Sequence, residues 1–132
     1  MAIVITYIKP THNLDVFSIC LENAQKSKHL DKFLISFKEK LSVDFIDELN
    51  KYDNIVWKDD VDNFWASEMR DLISENPSDY YYIWEEDSHI FDIEQFDKTY
   101  EKFIDTDVDF LFTQDLKWIK RSEHLLNSNL VL

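Results

Sequence analysis

Residues 2–8 read Ala-Ile-Val-Ile-Thr-Tyr-Ile, and this stretch decides the fold. Apolar and β-branched side chains fill it almost without interruption, which is typical of a strand buried on both faces of a parallel sheet. Residues 9–12, Lys-Pro-Thr-His, end the strand, and Asn13 is a good N-cap for a helix. The opening of the chain therefore predicts a buried first strand, a short loop and a helix.

Strand patterns recur along the chain and alternate with helix patterns. Short apolar runs predict further strands at residues 32–37, 54–58, 80–84 and 108–113. The helix patterns begin at capping residues, namely Asn13, Ser42, Asp62 or Asn63, and Asp92. Because parallel neighbours need crossover connections, this alternation predicts an α/β fold with a mostly parallel, Rossmann-like sheet and helices on both faces. The tail, residues 116–132, is predicted to be partly helical.

Composition limits the classes of function. Of the 132 residues 45% are hydrophobic, so we expect residues 1–132 to form a single domain with one core. Lys and Arg total 14 against 27 Asp and Glu, which gives a formal net charge of −13. Since no basic surface is available to displace counterions, this balance excludes a non-specific nucleic-acid binder and argues against docking on anionic lipid.

The cysteine and glycine counts narrow the choice further. The single cysteine, Cys20, excludes an internal disulfide and a cysteine-based zinc finger, and it falls on an apolar helical stripe. No apolar run approaches the roughly 18 residues that a membrane span needs, so we expect a cytoplasmic protein without a transmembrane segment. Glycine is absent, which excludes Gly-rich phosphate loops. A phosphate site must therefore use side chains, ordinary backbone amides or a metal.

Two loops that follow predicted strands carry the residues best suited to a site. One is residues 9–13 after the first strand, and the other is residues 85–89, Glu-Glu-Asp-Ser-His, after the fourth. Ligands of open parallel sheets bind where strand order reverses, so these loops face one crevice if their strands are neighbours. Three consecutive acids repel one another unless a cation lies among them, and their oxygens suit Mg²⁺ or Mn²⁺. The alternative is a solvated acidic turn.

The order of these motifs resembles that of family 2 glycosyltransferases, which have the GT-A fold. Residues 4–13, Val-Ile-Thr-Tyr-Ile-Lys-Pro-Thr-His-Asn, look like the opening strand and Pro-Thr-x-Asn turn of that family. Residues 67–71, Ser-Glu-Met-Arg-Asp, are similar to its small residue followed by Arg-Asn. Residues 81–87, Tyr-Tyr-Ile-Trp-Glu-Glu-Asp, resemble its hydrophobic strand and acidic DxD motif. The capped helix and strand at residues 91–112 also resemble the helix and strand that come after the acidic motif in that family.

The resemblance implies a domain that binds a nucleotide-diphosphate sugar through Mn²⁺ or Mg²⁺ and transfers the sugar to a hydroxyl acceptor. It assigns nucleotide-sugar binding to Pro10, Thr11, Asn13, Arg70, Glu85 and Glu86. It assigns the metal to Glu85, Asp87 and His89. Arg70 also fits a solvated helix face on which it pairs with Glu68, Asp71 or Ser74.

Three departures from the family pattern bear on activity. The usual aspartate after the second strand is missing, because residues 35–38 read Ile-Ser-Phe-Lys, and Glu85 replaces the first aspartate of the acidic motif. The chain is also expected to lack the C-terminal acceptor half. An inverting transfer needs a base that deprotonates the acceptor hydroxyl, and no catalytic base can be assigned here. The resemblance thus implies a reduced glycosyltransferase or the front part of one.

A second hypothesis comes from a different class of protein. The high negative charge also suits an acidic inhibitor or immunity-type protein that covers a basic protein partner by electrostatic complementarity. It predicts acids spread over one flat face with an exposed tryptophan near the centre, and Trp118 is a candidate interface residue. A third hypothesis is a family remnant that keeps the sheet and has lost its ligand.

Overall fold

The computed structural model describes residues 1–8, 14–61, 65–84, 92–112 and 117–121. In these ranges the strands are β1 (Ala2–Ile8), β2 (Leu30–Phe37), β3 (Ile55–Lys58), β4 (Tyr80–Ile83), β5 (Phe110–Phe112) and β6 (Lys117–Lys120). The helices are α1 (Leu14–Ala24), α2 (Val43–Leu49), α3 (Trp65–Glu75) and α4 (Ile93–Ile104). The predicted alternation of strand and helix is confirmed from β1 to β5. None of these helices is long and apolar enough to cross a membrane.

The described strands join one sheet in the order β3-β2-β1-β4-β6-β5. Strand β1 pairs in parallel with β2 on one side and with β4 on the other, and β2 pairs in parallel with β3. Strand β6 lies antiparallel between β4 and β5. The predicted α/β class with a mostly parallel sheet is therefore confirmed. We call the edge where β1 to β4 begin the amino edge and the edge where they end the carboxyl edge.

Two of the predicted helix caps are confirmed by the hydrogen bonds that their side chains accept. Ser42 Oγ accepts a hydrogen bond from the backbone N–H of Phe45 at 3.3 Å, and Asp92 Oδ1 accepts one from Gln95 at 2.9 Å. In both cases a short polar side chain satisfies a backbone donor that has no partner inside the helix. Local sequence chemistry therefore sets where α2 and α4 begin.

The part of the tail that the structure describes is a strand, and the predicted partial helix falls on residues outside it. Residues Lys117–Lys120 form strand β6 and not a helix, and Trp118 pairs across the ladder with Tyr82 of β4. Trp118 is fully buried, and its ring lies 4.8 Å from Phe96 and 4.9 Å from Tyr100. The interpretation of Trp118 as an interface residue is therefore wrong, because the ring fills the core under α4. The remainder of the tail lies outside the described residues.

Helices cover both faces of the sheet, as predicted, but unequally. Helices α1, α2 and α4 lie on one face, which we call the three-helix face, and α3 lies on the other, the α3 face. The core of the three-helix face includes Val4, Phe17, Leu21, Phe33, Phe45, Tyr82, Phe96 and Trp118. The core of the α3 face contains Ile3, Ile5, Leu34, Met69, Leu72, Ile73, Tyr81 and Ile119. Alternate residues of β1 enter the two cores, which explains why that strand is apolar throughout.

The connection through α4 differs in hand from the others. The connections β1–α1–β2 and β4–α4–β5 both cross the three-helix face, but they advance in opposite directions along the sheet. These two connections therefore have opposite hands. The connection β3–α3–β4 advances in the direction opposite to β1–α1–β2, but it crosses the other face of the sheet, so these two connections have the same hand. Such crossovers usually share one hand within a sheet, and the connection through α4 is the one that departs from it among the described elements. As a consequence α1 and α4 begin on the same face, on either side of the junction between β1 and β4.

Candidate functional site

Strand order reverses between β1 and β4, and this junction is where an open parallel sheet binds its ligand. The two strands are in register, with Ile5 opposite Ile83, and the backbone N–H of Trp84 donates to the carbonyl of Ile5 at 2.9 Å. The described parts of β1 and β4 thus end at neighbouring positions of the carboxyl edge, and residues 9–13 and 85–89, which come next in the chain, lie outside the described residues. The condition set by the sequence, that the first and fourth strands are neighbours, is met.

Most of the predicted site residues belong to the two loops. Pro10, Thr11, Asn13, Glu85, Glu86, Asp87 and His89 all lie outside the described residues. Within the described part of the chain, no group of three or more His, Cys, Asp or Glu side chains is arranged to hold a metal ion. The metal site and the nucleotide contacts at these residues therefore stay predictions.

Arg70 is the predicted site residue that the structure does describe. It lies half-buried in the middle of α3, next to Met69, which faces the sheet. Successive helical residues are turned by about 100°, so Glu68 and Arg70 lie on opposite flanks of the helix. Glu68 pairs with Lys58 of β3 at 3.0 Å, and this hydrogen bond raises the pKa of Lys58 above its ordinary value. Glu68 is thus engaged on the flank towards β3, and Arg70 lies on the flank towards β4.

The carboxyl edge contains buried polar atoms that find no hydrogen-bond partner among the described residues. They are the hydroxyl oxygens of Thr6 and Ser36 and the indole N–H of Trp84. Thr6 is 4% exposed, Ser36 0% and Trp84 3%. An unsatisfied buried polar group typically destabilises a protein by about 1–3 kcal/mol, so such atoms need a reason.

These atoms lie on both faces of the sheet. Ser36 is opposite Tyr7 of β1 and Lys58 of β3, and it points to the α3 face. Thr6 and Trp84 point to the three-helix face, where the ring of Trp84 stacks on Phe17 of α1 with centroids 6.3 Å apart. The sequence contains a sign of two of these atoms that the predicted site leaves out, because Thr6 and Ser36 are polar residues that each interrupt an otherwise apolar strand.

At the amino edge, in contrast, several buried and half-buried polar side chains are paired, whereas His29 Nε2 is buried without a hydrogen-bond partner. Gln25 and Asn54 exchange two side-chain hydrogen bonds, of 2.8 and 3.0 Å. Ser27 Oγ donates to Asp97 Oδ1 at 2.5 Å, and both residues are buried. His29 makes a weaker contact, because its Nε2 lies 3.4 Å from a carboxylate oxygen of Glu101 without hydrogen-bond geometry.

Cys20 and Trp57 have structural roles. Cys20 is buried on the apolar face of α1, and burial raises the pKa of its thiol, so the reactive thiolate is disfavoured. Trp57 of β3 is half-buried and meets the ring of Phe37 edge-on, with centroids 6.4 Å apart. Neither residue supplies a reactive group at the carboxyl edge.

Comparison with known proteins adds a fold but not a family. No protein-family model and no curated protein sequence matches this chain. One solved structure with a similar fold is CMP:2-keto-3-deoxy-manno-octonic acid synthetase complexed with CTP, with a TM-score of 0.54 and 7% sequence identity. The match covers 79% of this chain and 47% of the synthetase chain, so this chain spans about half the length of that protein. At this identity the likeness shows a shared α/β fold, which in the synthetase binds a nucleotide.

Proposed function

We propose that this domain binds a nucleotide-diphosphate sugar at the carboxyl edge, between β1 and β4. The observation that carries the proposal is the parallel pairing of these two strands at the point where strand order reverses. The similar fold of a synthetase complexed with CTP supports a nucleotide as the ligand. The transfer of the sugar to a hydroxyl acceptor belongs to the same proposal, although no catalytic base is assigned.

The proposed contacts are those that the family resemblance implies. Pro10, Thr11, Asn13, Arg70, Glu85 and Glu86 bind the nucleotide sugar, and Glu85, Asp87 and His89 bind the metal. Carboxylates and imidazole form a suitable ligand set for Mn²⁺, and carboxylates with water suit Mg²⁺. The flank of α3 that carries Arg70 is the one towards β4, which is consistent with a role beside the acidic loop.

Net charge gives an independent reason to expect the metal. A chain of net charge −13 repels a nucleotide diphosphate unless a divalent cation lies between the phosphates and the carboxylates. The cation supplies charge neutralisation at the diphosphate. The residues of this chain would hold and orient the diphosphate, and the adjacent strand ends would fix the direction from which it enters.

Isothermal titration calorimetry with CDP, UDP and GDP, each with and without Mn²⁺, tests the proposal. We expect binding of at least one nucleotide that depends on Mn²⁺. Asp87→Asn should weaken this binding by at least about tenfold, because the substitution removes a negatively charged side chain from the residues proposed to bind the ion. Asp31→Asn is the matched control, since Asp31 is exposed at the start of β2, on the amino edge. If none of the three nucleotides shows binding that depends on Mn²⁺, the proposed function is wrong.

The acidic partner protein is the second candidate, and one observation favours it. Helices α1 and α2 contain no basic residue, and they expose Ile19 and Val43 beside acids such as Asp15 and Asp47. However, Trp84 and Trp118 are buried and Trp57 is half-buried, so none of these three is the exposed central tryptophan that this candidate predicts. The nucleotide-sugar proposal is therefore the better supported of the two.

A further inference from the structure

Thr6 and Trp84 occupy neighbouring positions on the two strands that flank the reversal of strand order. Ile5 is opposite Ile83, and the ladder continues through the hydrogen bond from the Trp84 N–H to the Ile5 carbonyl. The next step of the same register places Thr6 beside Trp84, with both side chains on the three-helix face. Two residues that each carry a hydrogen-bond donor are thus neighbours on the three-helix face, just before the carboxyl edge.

Neither polar atom is satisfied. Thr6 Oγ1 and Trp84 Nε1 are closed off from solvent and have no hydrogen-bond partner in the described ranges, including each other. They lie below α1, whose Phe17 ring is stacked on the Trp84 ring at an interplanar angle of 5°. A core built only for stability would carry valine and phenylalanine at these two positions, because these residues have no polar atom to satisfy.

We propose that the Thr6 hydroxyl and the Trp84 indole N–H form a subsite for a hydrogen-bond-accepting oxygen of the nucleotide ligand. The indole can only donate, and the hydroxyl can donate as well, so the pair suits a phosphate oxygen or a carbonyl oxygen of the base. Because both atoms are closed off from solvent, the subsite requires that the stacked contact between Phe17 and Trp84 open when the ligand binds. This inference rests on the proposed function and names one subsite within it.

Trp118 provides an internal comparison. Its indole N–H is also buried without a hydrogen-bond partner among the described residues, but it lies on β6 among the rings of Tyr82, Phe96 and Tyr100. It is therefore enclosed by the aromatic core under α4 and does not border the junction of β1 and β4. The same substitution at Trp84 and at Trp118 removes the same atoms, and the loss of ligand contact is expected only at Trp84.

The experiment combines calorimetry and thermal unfolding of the whole chain. In the presence of Mn²⁺ the wild type and the variants Thr6→Val, Thr6→Ser, Trp84→Phe and Trp118→Phe are titrated with CTP, UDP and GDP. Thr6→Val and Trp84→Phe should each weaken binding about tenfold, as expected for the loss of one hydrogen bond, whereas Thr6→Ser and Trp118→Phe should keep it within about threefold. Thr6→Val should also raise the Tm of the free protein, because it removes an unsatisfied hydroxyl at nearly constant volume.

Two further titrations locate the oxygen. Pyrophosphate and the free nucleoside of the best-binding nucleotide are compared between wild type and Thr6→Val, and the ligand whose affinity falls carries the contacted oxygen. If the wild type binds a nucleotide and the variants Thr6→Val and Trp84→Phe bind it equally well, the proposed subsite is wrong and the proposed function is unaffected. A wild type that binds none of the nucleotides overturns both. A Tm of Thr6→Val below that of the wild type also overturns the subsite, because the hydroxyl would then stabilise the free protein.

Discussion

The two edges of the sheet differ in the hydrogen bonding of their buried hydroxyl and amide side chains, although His29 Nε2 at the amino edge is also unsatisfied. At the amino edge Ser27 donates to the buried carboxylate of Asp97 and Gln25 exchanges two hydrogen bonds with Asn54. At the carboxyl edge Thr6 and Ser36 keep hydroxyl groups that are as well buried but have no partner among the described residues. A satisfied buried polar group adds to the stability of a fold, whereas an unsatisfied one costs stability and calls for an explanation, of which a ligand contact is one. The comparison therefore separates a scaffold edge from a candidate functional edge.

The largest effect is expected at the amino edge, from Asp97→Ala. The Asp97 carboxylate accepts the hydroxyl of Ser27 at 2.5 Å and the backbone N–H of Lys28 at 3.5 Å, so its removal leaves a buried donor without a partner. We expect the free energy of unfolding to fall by about 2–3 kcal/mol, measured by urea denaturation. Asp107→Ala is the control, because Asp107 is exposed. A loss below about 0.5 kcal/mol for Asp97→Ala would contradict the idea of a scaffold edge.

The same substitution at two buried serines gives the sharpest form of the comparison. Ser27→Ala removes a satisfied hydroxyl and should lower the free energy of unfolding by about 1 kcal/mol. Ser36→Ala removes an unsatisfied one and should raise it by about 0.5–1 kcal/mol. Both values come from urea or thermal unfolding of the two single variants. Two changes of the same sign would show that the edges do not differ in this respect.

The smallest effect concerns pH and the carboxylate of Glu48 on α2. Lys51 at 2.6 Å and the hydroxyl of Ser18 at 2.6 Å donate to it and hold its pKa below the ordinary value of 4.5. Its stabilising contribution is therefore complete above pH 4.5 and is lost as the pH falls through the lower pKa of the folded state. Glu48→Gln should flatten the fall in stability below this pH, followed as Tm against pH. An unchanged profile would show that Glu48 is not held in its charged form by these contacts.

Several features of the fold depend directly on local sequence. Continuous apolar and β-branched residues at 2–8 predict the buried strand β1, and Ser42 and Asp92 mark helix starts because their side chains accept backbone N–H groups. The alternation of strands and helices predicts the parallel sheet. These features depend on neighbours a few residues apart, so the pattern of the chain contains them.

Other features depend on residues far apart in the chain. The local pattern of the tail predicts partial helix, yet Lys117–Lys120 becomes strand β6 because Trp118 pairs with Tyr82 and packs under α4. The position of α4 on the three-helix face likewise depends on distant residues, because its aromatic stripe is buried against the same cluster. Local preference is weak in so short a segment, and tertiary packing outweighs it.

The candidate site shows the same division. By itself the sequence determined that polar residues follow two apolar strands, that the chain has a net charge of −13, and that it contains no glycine for a Gly-rich loop. Only the tertiary structure decided that β1 and β4 are neighbours. Only it decided that Thr6 and Trp84 lie side by side and that their polar side-chain atoms have no hydrogen-bond partner among the described residues. The reason is physical: charge and periodicity are sums over local residues, whereas strand order and hydrogen-bond satisfaction exist only once distant segments have been brought together.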